Sequence, residues 1–172
     1  MSGGNIVKKA LLILGAGGHG RVVRDVALAT GAYDRVDFLD DASDAAVGTL
    51  SDLEALASSY PCAAVGIGNN AVRATLLDRL EAAGYELVTL IHPRAYVSPD
   101  AFVGEGTVVE PMATINREAV LGRGVIVSVG ATVDHNATVG ACAHINAGAI
   151  CKAGSRVPAE KKLEAGEVVL GY

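Results

Sequence analysis

Tryptophan is missing from this 172-residue chain, and aromatic side chains make up only 4% of it. A core built on large rings is excluded, yet 51% of the residues are apolar, enough to bury a core. Scarce aromatics beside abundant Ala, Val and Gly suit a solenoid made of small stacked layers. Basic residues are also in deficit: 14 Lys and Arg stand against 19 Asp and Glu, a formal charge of −5. That balance argues against nucleic-acid binding, which needs a basic stripe to neutralise phosphates. Small anionic ligands stay admissible, because local backbone N–H groups hold them whatever the net charge. The three cysteines, Cys62, Cys142 and Cys151, are too few and too far apart for a disulfide framework or a zinc ribbon, and no metal site is expected. No stretch is long enough to cross a membrane, and Met1–Lys9 is too short and polar for a signal peptide. A reducing cytoplasm is the expected location.

What the chain does have is a repeat. Read in sixes from Ala95 to about Glu160, an aliphatic residue stands at Val97, Val103, Val109, Ile115, Leu121, Val127, Val133, Val139, Ile145 and Val157, with Cys151 filling the one gap. Two residues earlier runs a second register, from Ala95 and Ala101 through Ala149 to Ser155, small everywhere except Val125. A helix would need apolar spacing near 3.6, and a hairpin sheet would alternate without a fixed six. Two locked registers fit short strands separated by sharp corners, three strands to a triangular turn of a parallel β-helix. Gly104, Gly106, Gly122, Gly124, Gly130, Gly140, Gly148 and Gly154 fall where corners are expected to need unusual backbone angles.

The N-terminal half follows a different logic. Lys9–Leu14 reads as a buried strand and runs into Gly15–Gly20 (GAGGHG), after which Val22, Val23, Val26 and Ala27 mark a helix that Gly31 ends. Arg35–Asp41 is a second strand finishing in two carboxylates, Leu50–Ser59 a short helix, and Ala63–Ile67 a third strand leading to Gly68-Asn69-Asn70. Ala71–Ala83 is a further helix, and Leu87–Ile91 a fourth strand. Strand–helix alternation implies a small parallel α/β sheet with right-handed crossovers. The boundary with the repeat is expected near His92-Pro93, giving a Rossmann-like domain over 1–92 and the solenoid over 93–172.

GAGGHG satisfies the GxGxxG pattern, and Asp40 lies at about the spacing of a ribose-binding acid. Glycines let a ligand approach the backbone, and a helix N-terminus offers N–H groups to phosphates. The pattern leaves open a nucleotide sugar, a dinucleotide cofactor and a plain tight turn. For NAD, a unit of about 90 residues lacks room for the rest of the dinucleotide.

GAGGHG, then FLDD, then GIGNN, then a hexapeptide repeat containing VDHNATVGACAHI resembles the sugar O/N-acetyltransferases of the sialic-acid acetyltransferase type. Within that family the pattern is most similar to enzymes that acetylate the amino group of a UDP-linked 4-amino-dideoxy sugar in bacillosamine biosynthesis. The resemblance covers about residues 9 to 160. It implies a left-handed β-helix, a homotrimer with active sites between subunits, acetyl-coenzyme A as donor and a UDP-amino-sugar as acceptor. Carried over by position, Gly17, Gly18 and His19 would face the pyrophosphate, Asp40 and Asp41 the uridine, and Gly68 and Asn69 the same pocket. His135 matches the catalytic base, and His144 a second histidine near the acyl donor. Ala153 and Gly154 are the last positions placed in the coenzyme A groove. Both histidines lie outside the inward registers, as a reactive residue requires; a solvent-exposed corner histidine is the plain alternative.

Two departures stand out. The family usually has a carboxylate after the catalytic histidine, where this chain has Asn136; an amide accepts a hydrogen bond without the charge, so a weaker base is expected. Asp134 precedes the histidine but should point to the opposite face. Ser128, in turn, stands where look-alikes often have Asn. Beyond Val157 the small register breaks at Lys161 and Glu167, so the last segment, AEKKLEAGEVVLGY, is expected to be a tail and the donor groove to be shortened. The leading expectation is N-acetyl transfer. O-acetyl transfer and a non-catalytic nucleotide-sugar-binding module with a degenerate solenoid are the alternatives.

Overall fold

The computed structural model describes residues 9–172; Met1 and the other residues of the polar stretch before position 9 lie outside the described residues. The first unit is a four-stranded parallel sheet. β1 (Lys9–Leu14) lies in its centre, flanked by β2 (Tyr33–Leu39) and β3 (Cys62–Val65), with β4 (Glu86–Leu87) beside β3. Side chains of β1 alternate between two cores: Leu11 and Ile13 pack with helix α1 (Gly18–Thr30), while Leu12 and Leu14 pack with α3 (Asn70–Ala82). Gly31, at φ 68°, closes α1 by donating its N–H to Leu28. Asn69 caps α3, its Oδ1 accepting the Val72 N–H at 3.0 Å. The helix expected over Leu50–Ser59 is shorter, a 3₁₀ turn at Leu50–Asp52 leading into α2 (Leu53–Leu56).

The second unit is the left-handed parallel β-helix. Its two-residue strands stack into three flat faces, with partners 18 residues apart, as in Ile126 beside Val108 and His144. Inward registers are filled as the repeat requires, and Ala113, Ile115, Ala119, Leu121, Val125 and Val127 are all within 1% of full burial. Corners recur at the same interval and hold left-handed residues in three columns. One column is Glu118, Asn136 and Gly154, with φ of 56°, 58° and 68°. Only glycine and, less readily, asparagine adopt such angles without strain.

Two expectations are corrected. Leu87–Ile91 is not one strand: Leu87 ends the α/β sheet, whereas Leu90–Ile91 (β5) pairs with Val108–Val109 on the coil. Ile91 sits six residues before Val97 and so belongs to the large inward register. The C-terminal segment is not a tail. Leu163 is 1% exposed in the core, and Val168–Val169 pairs with Ile150–Cys151, so the coil continues to Val169. The broken small register is tolerated because neither charge is buried: Lys161 is exposed and Glu167 half-buried, both lining an open cavity beside Val157, Leu163 and Val169.

One face of the coil is covered. Its outward column, Leu90, Val108, Ile126 and His144, is buried, and α1 packs onto β5 and Val108. Outward positions on the other two faces, among them Tyr96, Phe102, Val120 and Ile150, stay exposed. Arg73 of α3 clamps the same junction. It is 1% exposed and donates to the carbonyls of Gly124 at 2.8 Å and Cys142 at 2.6 Å on two stacked corners.

Candidate active site

The glycine loop begins with a constraint and ends with an opening. Gly15 has φ 102°, and a Cβ on Gly20 would overlap the Gly15 carbonyl oxygen, so α1 meets the loop backbone to backbone. Gly17 and Gly18, at the N-terminus of α1, face open space. Beside them runs a groove of about 570 Å³ lined by Ala16, Gly17, Arg21, Asp40 and the turn from Ala42 to Ala45. The first N–H groups of α1, which make no hydrogen bond among the described residues, and Arg21 give this groove the donors a pyrophosphate needs.

The two carboxylates of FLDD are already partly used. Asp40 accepts the N–H of Ala16 at 2.8 Å and of Ala42 at 2.8 Å, and these two bonds hold its carboxyl below the usual range. Asp41 accepts the N–H of Leu50 at 2.7 Å. Each carboxylate therefore shapes the loop and offers a ligand only its remaining lone pairs. Gly68 and Asn69 open on a separate groove of about 500 Å³ with Glu160 and Lys162, and not on the groove beside Asp40.

His19 turns away from the open groove towards the coil. Its ring lies 6.2 Å from that of His144, centroid to centroid, and its Nδ1 is 3.8 Å from Glu110. Burial, reinforced by Arg73, pushes the His19 pKa down to about 4, so that contact is not an ion pair at neutral pH, and it is too long for a hydrogen bond. His144 is outward in register, as expected, but only 8% exposed, because the α/β unit covers its face. Burial, with His19 and Arg73 adding repulsion, lowers its pKa to about 4 as well. Its Nε2 lies 3.0 Å from Ser128 Oγ, whereas His144 Nδ1 and His19 Nε2 are buried without a partner among the described residues. Glu110 completes the cluster: burial raises its pKa, and it accepts the Val129 N–H at 2.9 Å. Glu110 was not singled out from the sequence, although the 18-residue spacing that stacks it on Ser128 was legible.

His135 stands elsewhere, exposed on a corner of the coil. Its Nδ1 is 2.9 Å from Asn136 Oδ1, and the Asn136 amide nitrogen donates to Glu118 Oε2 at 2.7 Å. Asp134 does not reach the ring; its Oδ1 accepts the His135 backbone N–H at 2.7 Å and the Asn116 amide at 3.0 Å. Gly154 lies in the next turn, donating its N–H to the His135 carbonyl at 3.0 Å, with Ala153 just before it. The Tyr172 ring lies against Gly154 and 6.5 Å from the His135 ring. A single chain thus brings together His135, Asn136, Ala153 and Gly154 at one corner, and His19 and His144 at the junction. It does not join the two groups.

Comparison with known proteins agrees with both units. Residues 10–80 match the family model described as the PglD N-terminal domain. UDP-N-acetylbacillosamine N-acetyltransferase of Bacillus subtilis (strain 168) is 35% identical over 109 residues, 58% of this chain and 50% of that protein. The chain thus spans about half the length of this curated relative. The acetyltransferase domain of PglB from Neisseria gonorrhoeae FA1090 superposes with a TM-score of 0.91 and 38% identity, covering 94% of this chain and 82% of that one. That domain has also been solved in complex with acetyl coenzyme A. PerB from Caulobacter crescentus, in complex with CoA and GDP-perosamine, gives a TM-score of 0.82 and 30% identity, covering 94% and 89%. With 38% identity sustained over most of both chains and the same two-unit architecture, this chain belongs to the sugar N-acetyltransferase family.

Proposed function

We propose that this protein transfers the acetyl group of acetyl-coenzyme A to the amino group of a UDP-linked 4-amino-dideoxy sugar, with His135 as general base. The observation that carries the reading is the His135 corner. Its ring is engaged through Nδ1, and Nε2 makes no hydrogen bond among the described residues, so that nitrogen is open to a substrate. A histidine titrates near neutrality and suits removal of a proton from an attacking amine. The amine nitrogen forms a bond to the thioester carbonyl carbon and its proton passes to His135. Backbone N–H groups stabilise the oxyanion, the C–S bond then breaks, and the coenzyme A thiolate recovers the proton.

In this reading the α/β unit holds the nucleotide sugar, its phosphates at Gly17 and Gly18 and its nucleoside near Asp40 and Asp41, while the coil serves acyl transfer. Ala153 and Gly154, on the His135 corner, belong to the donor side. His19 and His144 act as neutral polar groups, since burial keeps both uncharged at neutral pH. A homotrimer would supply the missing juxtaposition of His135 with a junction from a neighbouring subunit. The coil's continuation to Val169 removes one of the two observations behind a non-catalytic module. Release of coenzyme A thiol, followed with acetyl-coenzyme A and a UDP-4-amino-sugar, tests the proposal. Turnover that disappears when the amine is replaced by a hydroxyl is expected, and equal turnover on the hydroxyl sugar would overturn N-acetylation.

A further inference from the structure

Asn136 removes the carboxylate that a histidine base ordinarily leans on, but the structure returns one a step further out. Glu118 and Asn136 occupy successive positions of one corner column, 18 residues apart, and the Asn136 amide nitrogen donates to Glu118 Oε2 at 2.7 Å. The other Glu118 oxygen accepts Arg117 Nε at 3.2 Å. These two bonds, Asn136 first, hold the Glu118 carboxyl below its ordinary range. At neutral pH the group is therefore ionised and can only accept. That fixes the amide. Turning it over would set Asn136 Oδ1 against the carboxylate oxygens, acceptor against acceptor. With the nitrogen held towards Glu118, Oδ1 must face His135, 2.9 Å from Nδ1. An amide oxygen also only accepts, so Nδ1 must carry a proton, and in the neutral ring Nε2 is then the bare nitrogen.

We propose that Glu118, acting through the Asn136 amide, sets the tautomer of His135 so that Nε2 presents its lone pair to the substrate amine. Glu118 is a positioning residue: it touches neither ring nor substrate. The proposal rests on the reading of His135 as base, and its chemistry is that of a divided histidine–carboxylate pair, with the amide as spacer. The second-sphere charge orients the first partner much as a carboxylate orients a ligating histidine. The link is solvent-exposed, with the Glu118 side chain 53% accessible, so its effect belongs with the modest interactions.

The corner also provides a variant that keeps the fold. At φ 56° a glycine is better accommodated than Glu118, so Glu118→Gly removes the carboxylate while relieving the backbone. Glu118→Gln retains an acceptor for the Asn136 amide without the charge. In the full-length ¹⁵N-labelled protein, long-range ¹H–¹⁵N correlations distinguish Nδ1–H from Nε2–H imidazole, with the His135 signals assigned by His135→Gln. The expected result is a predominantly Nδ1–H ring in the parent, a larger Nε2–H fraction in Glu118→Gly, and partial return in Glu118→Gln. Loss of one hydrogen-bonded link predicts a kcat lower by roughly 2- to 10-fold in Glu118→Gly with KM unchanged. An unchanged tautomer ratio in Glu118→Gly would overturn the proposal. A shifted ratio with unchanged kcat would uphold the positioning role and overturn His135 as base, so the two claims fail separately.

Discussion

Replacing Arg73 with methionine should loosen the joint between the two units. Arg73 is a buried cation with no carboxylate within hydrogen-bond reach among the described residues; its guanidinium is held by the carbonyls of Gly124, Cys142 and Ile67 and by Asn70 Oδ1. Burial lowers its pKa, but a guanidinium keeps its proton. Methionine keeps most of the aliphatic volume and removes every donor. The Gly124 and Cys142 carbonyls then lose their charged partner inside the junction, at about 1–3 kcal/mol each, or roughly 2–6 kcal/mol together. Release from burying a charge offsets part of this. The net loss should fall in the lower half of that range, about 2–4 kcal/mol, a large share of the ~5–15 kcal/mol that holds a domain. With no tryptophan in the chain, urea unfolding is best followed by far-UV circular dichroism at one fixed protein concentration. The midpoint should fall, and the transition should broaden as α3 detaches from the coil corners before the coil itself unfolds. A variant as stable and as cooperative as the parent would refute the clamp.

Gly20→Ala should cost roughly 1–3 kcal/mol by forcing α1 off the Gly15 carbonyl, and should weaken UDP-sugar binding measured by calorimetry without affecting acetyl-coenzyme A. Leu163→Ala should lower the urea midpoint by the equivalent of about 2–3 kcal/mol, whereas a side chain in a loose tail would register almost nothing. His19 and His144 are both depressed from 6.5 to about 4, so the unfolded chain takes up protons near pH 6.5 that the fold resists until near pH 4. Their contribution is fully present above pH 6.5 and is lost as pH falls through that window, about 2 kcal/mol per histidine between pH 7 and pH 5. Glu110, whose pKa is raised, works in the opposite sense, so the test is the difference between parent and His144→Gln. The variant should show the shallower loss, and identical slopes would mean His144 is not buried in its neutral form.

The solenoid was legible because its inward positions repeat a local rule: each needs one side chain of set size, wherever the next rung lies. The same rule extended further than the break at Lys161 implied, since Ile91, Leu163 and Val169 keep the large register; only the small register fails, where Lys161 is exposed and Glu167 half-buried. The fate of the outward column was not legible from any one rung. Leu90, Val108 and Ile126 are apolar, but so are the exposed outward residues Tyr96, Phe102, Val120 and Ile150, so outward polarity did not mark which face is covered. Arg73 and the His19–Glu110 approach join residues 51 to 91 positions apart across two units, and no spacing rule predicts them. Glu118 lay between these cases. Its stacking on Asn136 follows from the 18-residue turn, while the bond between them depends on side-chain geometry that the turn alone does not specify.

Catalysis by His135 is the central claim, and turnover of His135→Ala measures it most directly. The side chain lies outside both inward registers and is exposed, so the variant should fold and melt like the parent. Its kcat for coenzyme A release, with acetyl-coenzyme A and a UDP-4-amino-sugar both saturating, should fall by ~10²–10⁴-fold, the range a positioned general base supplies. A folded His135→Ala protein that turns over within a few-fold of the parent would contradict the account.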